Sequence, residues 1–312
     1  MKQKLLFLSE LFTLAVVIAM IIGLPLFLIP PDPANYFQAS LLKSDLLKNT
    51  PSPRLIVIGG SNVAFGVDSE ALETAFGMPV INVGLHGGLG EISYREVSEY
   101  IRPGDIVVLM PEYHMFGEEQ VLEGNDSVLA QWAEYDLNKL RFIRPGHVPT
   151  ILLTIAQVKA TRVAAYAYEN GDLLRGIYLS KNFNSRGDFI GHLNLESPPK
   201  KMLFDTYLKS DVLHDSGFDF LERFNLEAKA KGAIVFFEFP ASRDSNCRLT
   251  GIEKFTRLYR ALQEQTTIPI LTPPGQICFP NSYFFDTPYH LNAIGRQVMT
   301  ERIIKDLTPV LP

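Results

Sequence analysis

A chain of 312 residues, 46% hydrophobic and 20% charged, carries enough apolar material for one large domain or two small ones, which excludes intrinsic disorder. Its formal net charge of -5 offers no basic footprint for neutralising phosphates, so no nucleic-acid partner is expected. Two cysteines, Cys247 and Cys278, are too few for a disulfide framework and too far apart for a zinc knuckle. Two unpaired buried thiols are the expectation, with one bridge in an oxidising compartment as the alternative.

After "MKQK", residues 11–31 read "LFTLAVVIAMIIGLPLFLIPP" without a charge, close to the ~20 apolar residues that cross a bilayer as a helix. Lys2 and Lys4 precede this run, which places the terminus in the cytoplasm and everything after Asp32 outside. A cleaved signal peptide is the competing reading. The run exceeds the ~7–15 apolar residues of a signal peptide and no small-x-small site follows closely, which favours an uncleaved anchor over residues 1–31. Glu10, near the cytoplasmic edge, fits either reading.

Residues 32–50, a Pro-containing connector followed by the amphipathic "LLKSDLLKN", read as a linker. Beyond it the pattern alternates. Short apolar runs bounded by Gly or Pro predict strands over 54–60, 79–85, 105–113, 233–240 and 268–274, and helices are predicted over 68–76, 91–101, 216–231, 251–266 and 291–307. This order implies an α/β domain over 51–312, a doubly wound parallel five-stranded sheet. The alternation breaks at about 117–210, which reads as a helical insertion. Lys159 and Arg162 interrupt its most apolar helix, so a packed helix is expected there, or an interfacial one, rather than a second membrane span.

In an open α/β sheet ligands collect at the carboxyl ends of the strands. There the chain places Gly59, Gly60, Ser61 and Asn62; then Gly84, His86, Gly87 and Gly88; then Glu112, Tyr113 and His114. Ser61 is a candidate nucleophile on a sharp turn, or the N-cap of a helix, although Asp68 and Ser69 offer another cap nearby. A serine needs a base, and "FFDTPYHLNAIGR" supplies Asp286 and His290 four residues apart. Taken singly, His290 fits a structural histidine and Asp286 a turn former ahead of Pro288. In the insertion, Asn184, Arg186, Asp188 and His192 suit carbohydrate hydroxyls, or form a solvated surface loop. His86, Glu112 and His114 read as a polar rim around a substrate rather than a metal site, and no cofactor is expected.

Together these segments resemble the SGNH/GDSL hydrolase superfamily. "GGS" (59–61) stands where that family carries its nucleophile block, "NVGLHGG" (82–88) resembles its second block, and "DTPYHLN" (286–292) its last. The resemblance implies an SGNH/flavodoxin-like three-layer fold, a Ser61/Asp286/His290 triad and, by position, Gly87 at the oxyanion; the Asn62 side chain, or the backbone N–H groups of Ser61 and Asn62, are candidates to replace the family's third-block donor, and Tyr113 is a further candidate for binding the oxyanion or the substrate. Gly87 would donate its backbone N–H, with Gly84 as the alternative. Three features depart from the pattern: Gly60 replaces an Asp, the Asp-to-His spacing is one residue longer, and "PEYH" (111–114) replaces the third block with its oxyanion Asn. With the anchor, the chain is similar to accessory proteins of alginate O-acetylation and teichoic-acid D-alanylation. That similarity implies single-pass residence in a bacterial inner membrane and an extracytoplasmic domain that transfers or removes acyl groups on a cell-envelope polysaccharide. It also implies a multi-span membrane O-acyltransferase as partner. A catalytically silent scaffold or polysaccharide-binding partner is the alternative. A nucleotide-binding domain is not expected, since both glycine-rich phosphate-loop patterns are missing.

Overall fold

The computed structural model describes residues 2–117, 122–168, 176–196, 208 and 213–311. In chain order its principal elements are α1 (Lys2–Leu28), α2 (Ala39–Asn49), β1 (Leu55–Gly59), α3 (Ser61–Gly66), α4 (Ser69–Phe76), β2 (Val80–Asn82), α5 (Ile92–Tyr100) and β3 (Ile106–Met110). There follow α6 (His114–Gly117), α7 (Asp126–Ala133), α8 (Val148–Tyr168), α9 (Asp215–Ala230), β4 (Ile234–Phe237), β5 (Ser242–Arg243), α10 (Asp244–Thr250), α11 (Ile252–Gln265), β6 (Cys278–Phe279) and α12 (Ala293–Leu307).

Four strands form one parallel sheet in the order β2-β1-β3-β4. Because side chains alternate along a strand, the Ile/Val-rich runs feed two cores at once. Ile56, Ile58, Val107, Leu109, Val235 and Phe237 pack with α5, α9 and α11 through Val97, Phe218, Phe224, Phe255 and Leu262. Leu55, Val57, Ile106, Val108 and Phe236 face the other way, onto Val63 and Leu72 and onto Met299 and Ile303 of α12. Helices therefore cover both faces of the sheet. The ends follow local chemistry: Asp68 caps α4 by accepting from the Glu70 and Ala71 N–H groups, and Gly77 ends it at φ 65.

The expected fifth strand, 268–274, is reduced to a single parallel bridge between Phe237 and Ile270. Proline explains the shortening. Pro269, Pro273 and Pro274 have no N–H to donate, so only Phe237 N–H to the Pro269 carbonyl and Leu271 N–H to the Phe237 carbonyl, both 2.9 Å, tie the segment to β4. Cys247 and Cys278 form a disulfide, which corrects the expectation of unpaired thiols.

Residues expected as a linker are built into the domain. Tyr36 and Phe37 are buried in a third core with Phe65, Trp132, Ile151, Ile155, Phe183 and Phe189, so the insertion and the segment after α1 pack as one unit. Within α1, Gln3–Leu28 is long and apolar enough to cross a membrane. Its carboxyl end is held: Leu26 is buried, the Lys159 ammonium of α8 donates to its carbonyl at 2.9 Å, and the Tyr135 hydroxyl donates to the Asp32 carbonyl. Arg162 pairs with the buried Glu134 at 2.7 Å, so the two charges that interrupt α8 are both used in packing. Part of the insertion expected at 117–210 lies outside the described residues.

Candidate active site

β1 runs out at Gly59 and α3 begins at once with Ser61, leaving Gly60 alone in the cap position with no side-chain cap. Ser61 is thus the first helical residue and not the N-cap, and its hydroxyl is turned to other use. It donates to Glu112 Oε1 at 3.3 Å. The Asn62 side chain is committed to structure: Oδ1 accepts from the Gly60 N–H and Nδ2 donates to the Met110 carbonyl, both at 2.9 Å. That corrects its expected role as an oxyanion donor through the side chain. Its backbone N–H points to Glu112 Oε1 at 3.4 Å.

His290 and Asp286 sit on the turn before α12, four residues apart, and His290 Nδ1 lies 2.8 Å from Asp286 Oδ1. The turn is closed by the His290 N–H on Thr287 Oγ1 and the Phe285 N–H on the His290 carbonyl. Phe65 of α3 stacks flat on the imidazole, with centroids 3.7 Å apart and planes 5° apart. The Tyr178 hydroxyl of the insertion donates to Asp286 Oδ2. Burial alone would push the Asp286 carboxyl up; the hydrogen bonds and charge of His290, with the Tyr178 hydroxyl, hold it below the usual range. With Nδ1 committed to the carboxylate, Nε2 is the nitrogen left to exchange a proton.

Ser61 and His290 line the same cavity of about 530 Å³, although the serine's hydrogen bond runs to Glu112 rather than to the histidine. Aromatic rings of Tyr36, Phe37, Tyr178 and Tyr289 form much of the wall, with His86, Asn35, Gln131 and Thr287 as polar points. Glu112 is wedged between the first two turns: a Cβ on Gly60 or Gly87 would collide with its carboxylate. His114 Nδ1 lies 3.5 Å from its Oε2. Gly87 therefore stands beside the site, while Gly84 serves packing, since a Cβ there would strike Val63. Tyr113 does not reach the cavity. It is fully buried and its hydroxyl donates to the Pro240 carbonyl, which removes it from the oxyanion and substrate candidates.

The polar quartet of the insertion is largely spent on packing, with Arg186 left partly exposed. Asp188 is buried and accepts from the Ser69 hydroxyl, Asn82 Nδ2, Asn184 Nδ2 and Arg296 Nη2. Arg186 pairs with Glu73 at 2.6 Å. His192 is buried with Nε2 2.8 Å from the Leu291 carbonyl, and burial pushes its imidazole down to about 4, so it is neutral and structural. These residues fasten the insertion to β2, α4 and α12 directly behind His290.

What the sequence did not point to is the cavity wall. Asn35, Tyr36 and Phe37 lay in the expected linker, and Tyr178 and Gln131 in the insertion, where no motif or periodicity marked them. The clue available was the cluster of aromatics in "NYF" next to prolines, more than a flexible tether needs. Among the described residues no group of three or more His, Cys, Asp or Glu is placed to hold a metal ion. Compared with protein-family models and with curated proteins, the sequence matches none.

Proposed function

We propose that this chain is a membrane-anchored, extracytoplasmic serine acyl-transfer protein of the SGNH type, acting on a cell-envelope polysaccharide or glycopolymer. The observation that carries this reading is one cavity at the carboxyl edge of a parallel sheet, lined by Ser61 and by a His290 already oriented by Asp286. In the first half-reaction Ser61 Oγ bonds to the acyl carbon while its proton passes to His290 Nε2, and the leaving alkoxide takes that proton as the ester bond breaks. In the second half-reaction a sugar hydroxyl or water gives its proton to His290 Nε2 and bonds to the acyl carbon, and Ser61 Oγ takes that proton back as the acyl–Oγ bond breaks. The double displacement calls for no cofactor.

Other features support the reading. The sheet order β2-β1-β3-β4, extended past β4 by the bridge at Ile270, fits a flavodoxin-like five-strand arrangement. A disulfide suits an oxidising compartment, which agrees with the orientation argued from Lys2 and Lys4. Aromatic faces interspersed with amide and hydroxyl groups suit a sugar acceptor. A multi-span O-acyltransferase as acyl donor completes the scheme.

The test is acyl release from an acetyl ester and Ser61 labelling by an alkyl fluorophosphonate, for the wild type and for Ser61→Ala and His290→Ala. Label and turnover are expected in the wild type, with both lost in Ser61→Ala. Equal turnover in wild type and Ser61→Ala sinks the nucleophile. The second reading, a silent scaffold, is favoured by the carboxylate of Glu112 beside the serine; a labelled Ser61 removes it.

A further inference from the structure

The Glu112 carboxylate sits where the proposed nucleophile and the Asn62 N–H beside it converge. Its Oε1 receives the Ser61 hydroxyl at 3.3 Å and the Asn62 N–H at 3.4 Å, while its Oε2 lies against Gly87. Neither Gly60 nor Gly87 has room for a Cβ, because this carboxylate fills the space between their turns. Glycine at both positions is thus matched to a carboxylate held beside the nucleophile. The surrounding titratable groups are His114 at 3.5 Å and, farther off, His86, Tyr36 and Tyr94. Among the described residues no lysine or arginine pairs with it. A carbonyl attacked by Ser61 must place its developing negative charge within reach of the donors next to that serine. Here one such donor, the Asn62 N–H, already faces a carboxylate, and two like charges repel strongly at such a distance.

We propose that the Glu112 carboxylate is a built-in occupant of the oxyanion position, and that its charge holds Ser61 back until an acyl substrate displaces or neutralises it. This rests on Ser61 being the nucleophile. Gln at position 112 keeps the space filled, removes the charge and presents an N–H to the oxyanion. Asp draws the carboxylate back by one methylene.

The experiment uses the full-length chain in detergent and the second-order rate of Ser61 labelling by an alkyl fluorophosphonate. In that reaction the Ser61 Oγ–P bond forms, fluoride leaves and the serine proton passes to His290. Glu112→Gln is expected to raise the rate by about 10²-fold, the order of one oxyanion-hole donor. Glu112→Asp should raise it less, and adding Ser61→Ala to Glu112→Gln should abolish the label. An unchanged rate in Glu112→Gln means the carboxylate does not oppose the oxyanion, and a lower rate means Glu112 serves as the base; either overturns the proposal. If melting shows Glu112→Gln unfolded, Glu112→Asp decides by the same criterion. Label in the wild type without a rise in the variants removes the gate and leaves the nucleophile standing. No label in the wild type, Glu112→Gln or Glu112→Asp removes both.

Discussion

The Asp286 carboxylate takes two hydrogen bonds, from His290 Nδ1 and from the Tyr178 hydroxyl, and the first of them fixes which imidazole nitrogen is left for chemistry. In the proposed reaction Tyr178 acts through Asp286, so its effect should appear in turnover and not in folding. A hydrogen bond to a charged group contributes about 1.5–3 kcal/mol, or about 10–100-fold in a rate that depends on it. Tyr178→Phe is expected to lower kcat for ester turnover at the low end of that range, with KM and Tm nearly unchanged; a loss of Tm matching the loss of kcat would assign Tyr178 to packing instead. The turn bearing Ser61 and the Asp286–His290 pair were legible because a glycine-bounded strand-to-helix turn and an Asp–His turn are local patterns. Tyr178 was not, because its partner lies 108 residues away and its own segment has no periodicity.

α2 shows what an element gains from the chain around it. Lys43 is buried on its inner side and its Nζ donates to the Asn82 carbonyl of β2 at 2.9 Å and to the Gly187 carbonyl of the insertion at 2.6 Å. Gly187 itself needs φ 89, and a Cβ there would strike the Asn82 carbonyl. Burial pushes the Lys43 ammonium down to about 7 from 10.5, with Asp188 pulling the other way. The folded chain therefore binds fewer protons here than the unfolded chain between about pH 7 and 10.5, so this residue makes stability rise with pH across that window. The slope attributable to it is at most about 1.4 kcal/mol per pH unit. Denaturation of wild type and Lys43→Met at pH 7, 8 and 9 is expected to give a flatter dependence in the variant; parallel curves would mean that Lys43 keeps its ordinary proton affinity.

Over the whole molecule, the carboxyl end of the amino-terminal helix, the insertion and the sheet are tied together by buried contacts. The disulfide belongs to the same scale, since it joins α10 to β6 across 31 residues. Closing a loop of that length removes unfolded-state entropy equivalent to about 3–4 kcal/mol. Cys247→Ser with Cys278→Ser is accordingly expected to lower Tm by several degrees, as seen by calorimetry in detergent, with Ser61 labelling retained below the transition. A Tm identical to that of the unreduced wild type would mean that the bridge adds nothing to stability.

By itself the sequence determined the apolar helix at the amino terminus, the alternation of strand and helix, and the turns bearing Ser61, Asp286 and His290. Each of these is written in nearest neighbours: hydropathy run, period, glycine and proline positions. Only the tertiary structure decided the rest. It turned the linker and the insertion into a cavity wall, gave Asn62 and Tyr113 to the core, paired the cysteines and reduced the fifth strand to a bridge. It also set Glu112 between Gly60 and Gly87. These outcomes depend on which side chains from distant segments compete for the same buried space and the same hydrogen-bond partners, and that competition exists only once the chain has closed on itself.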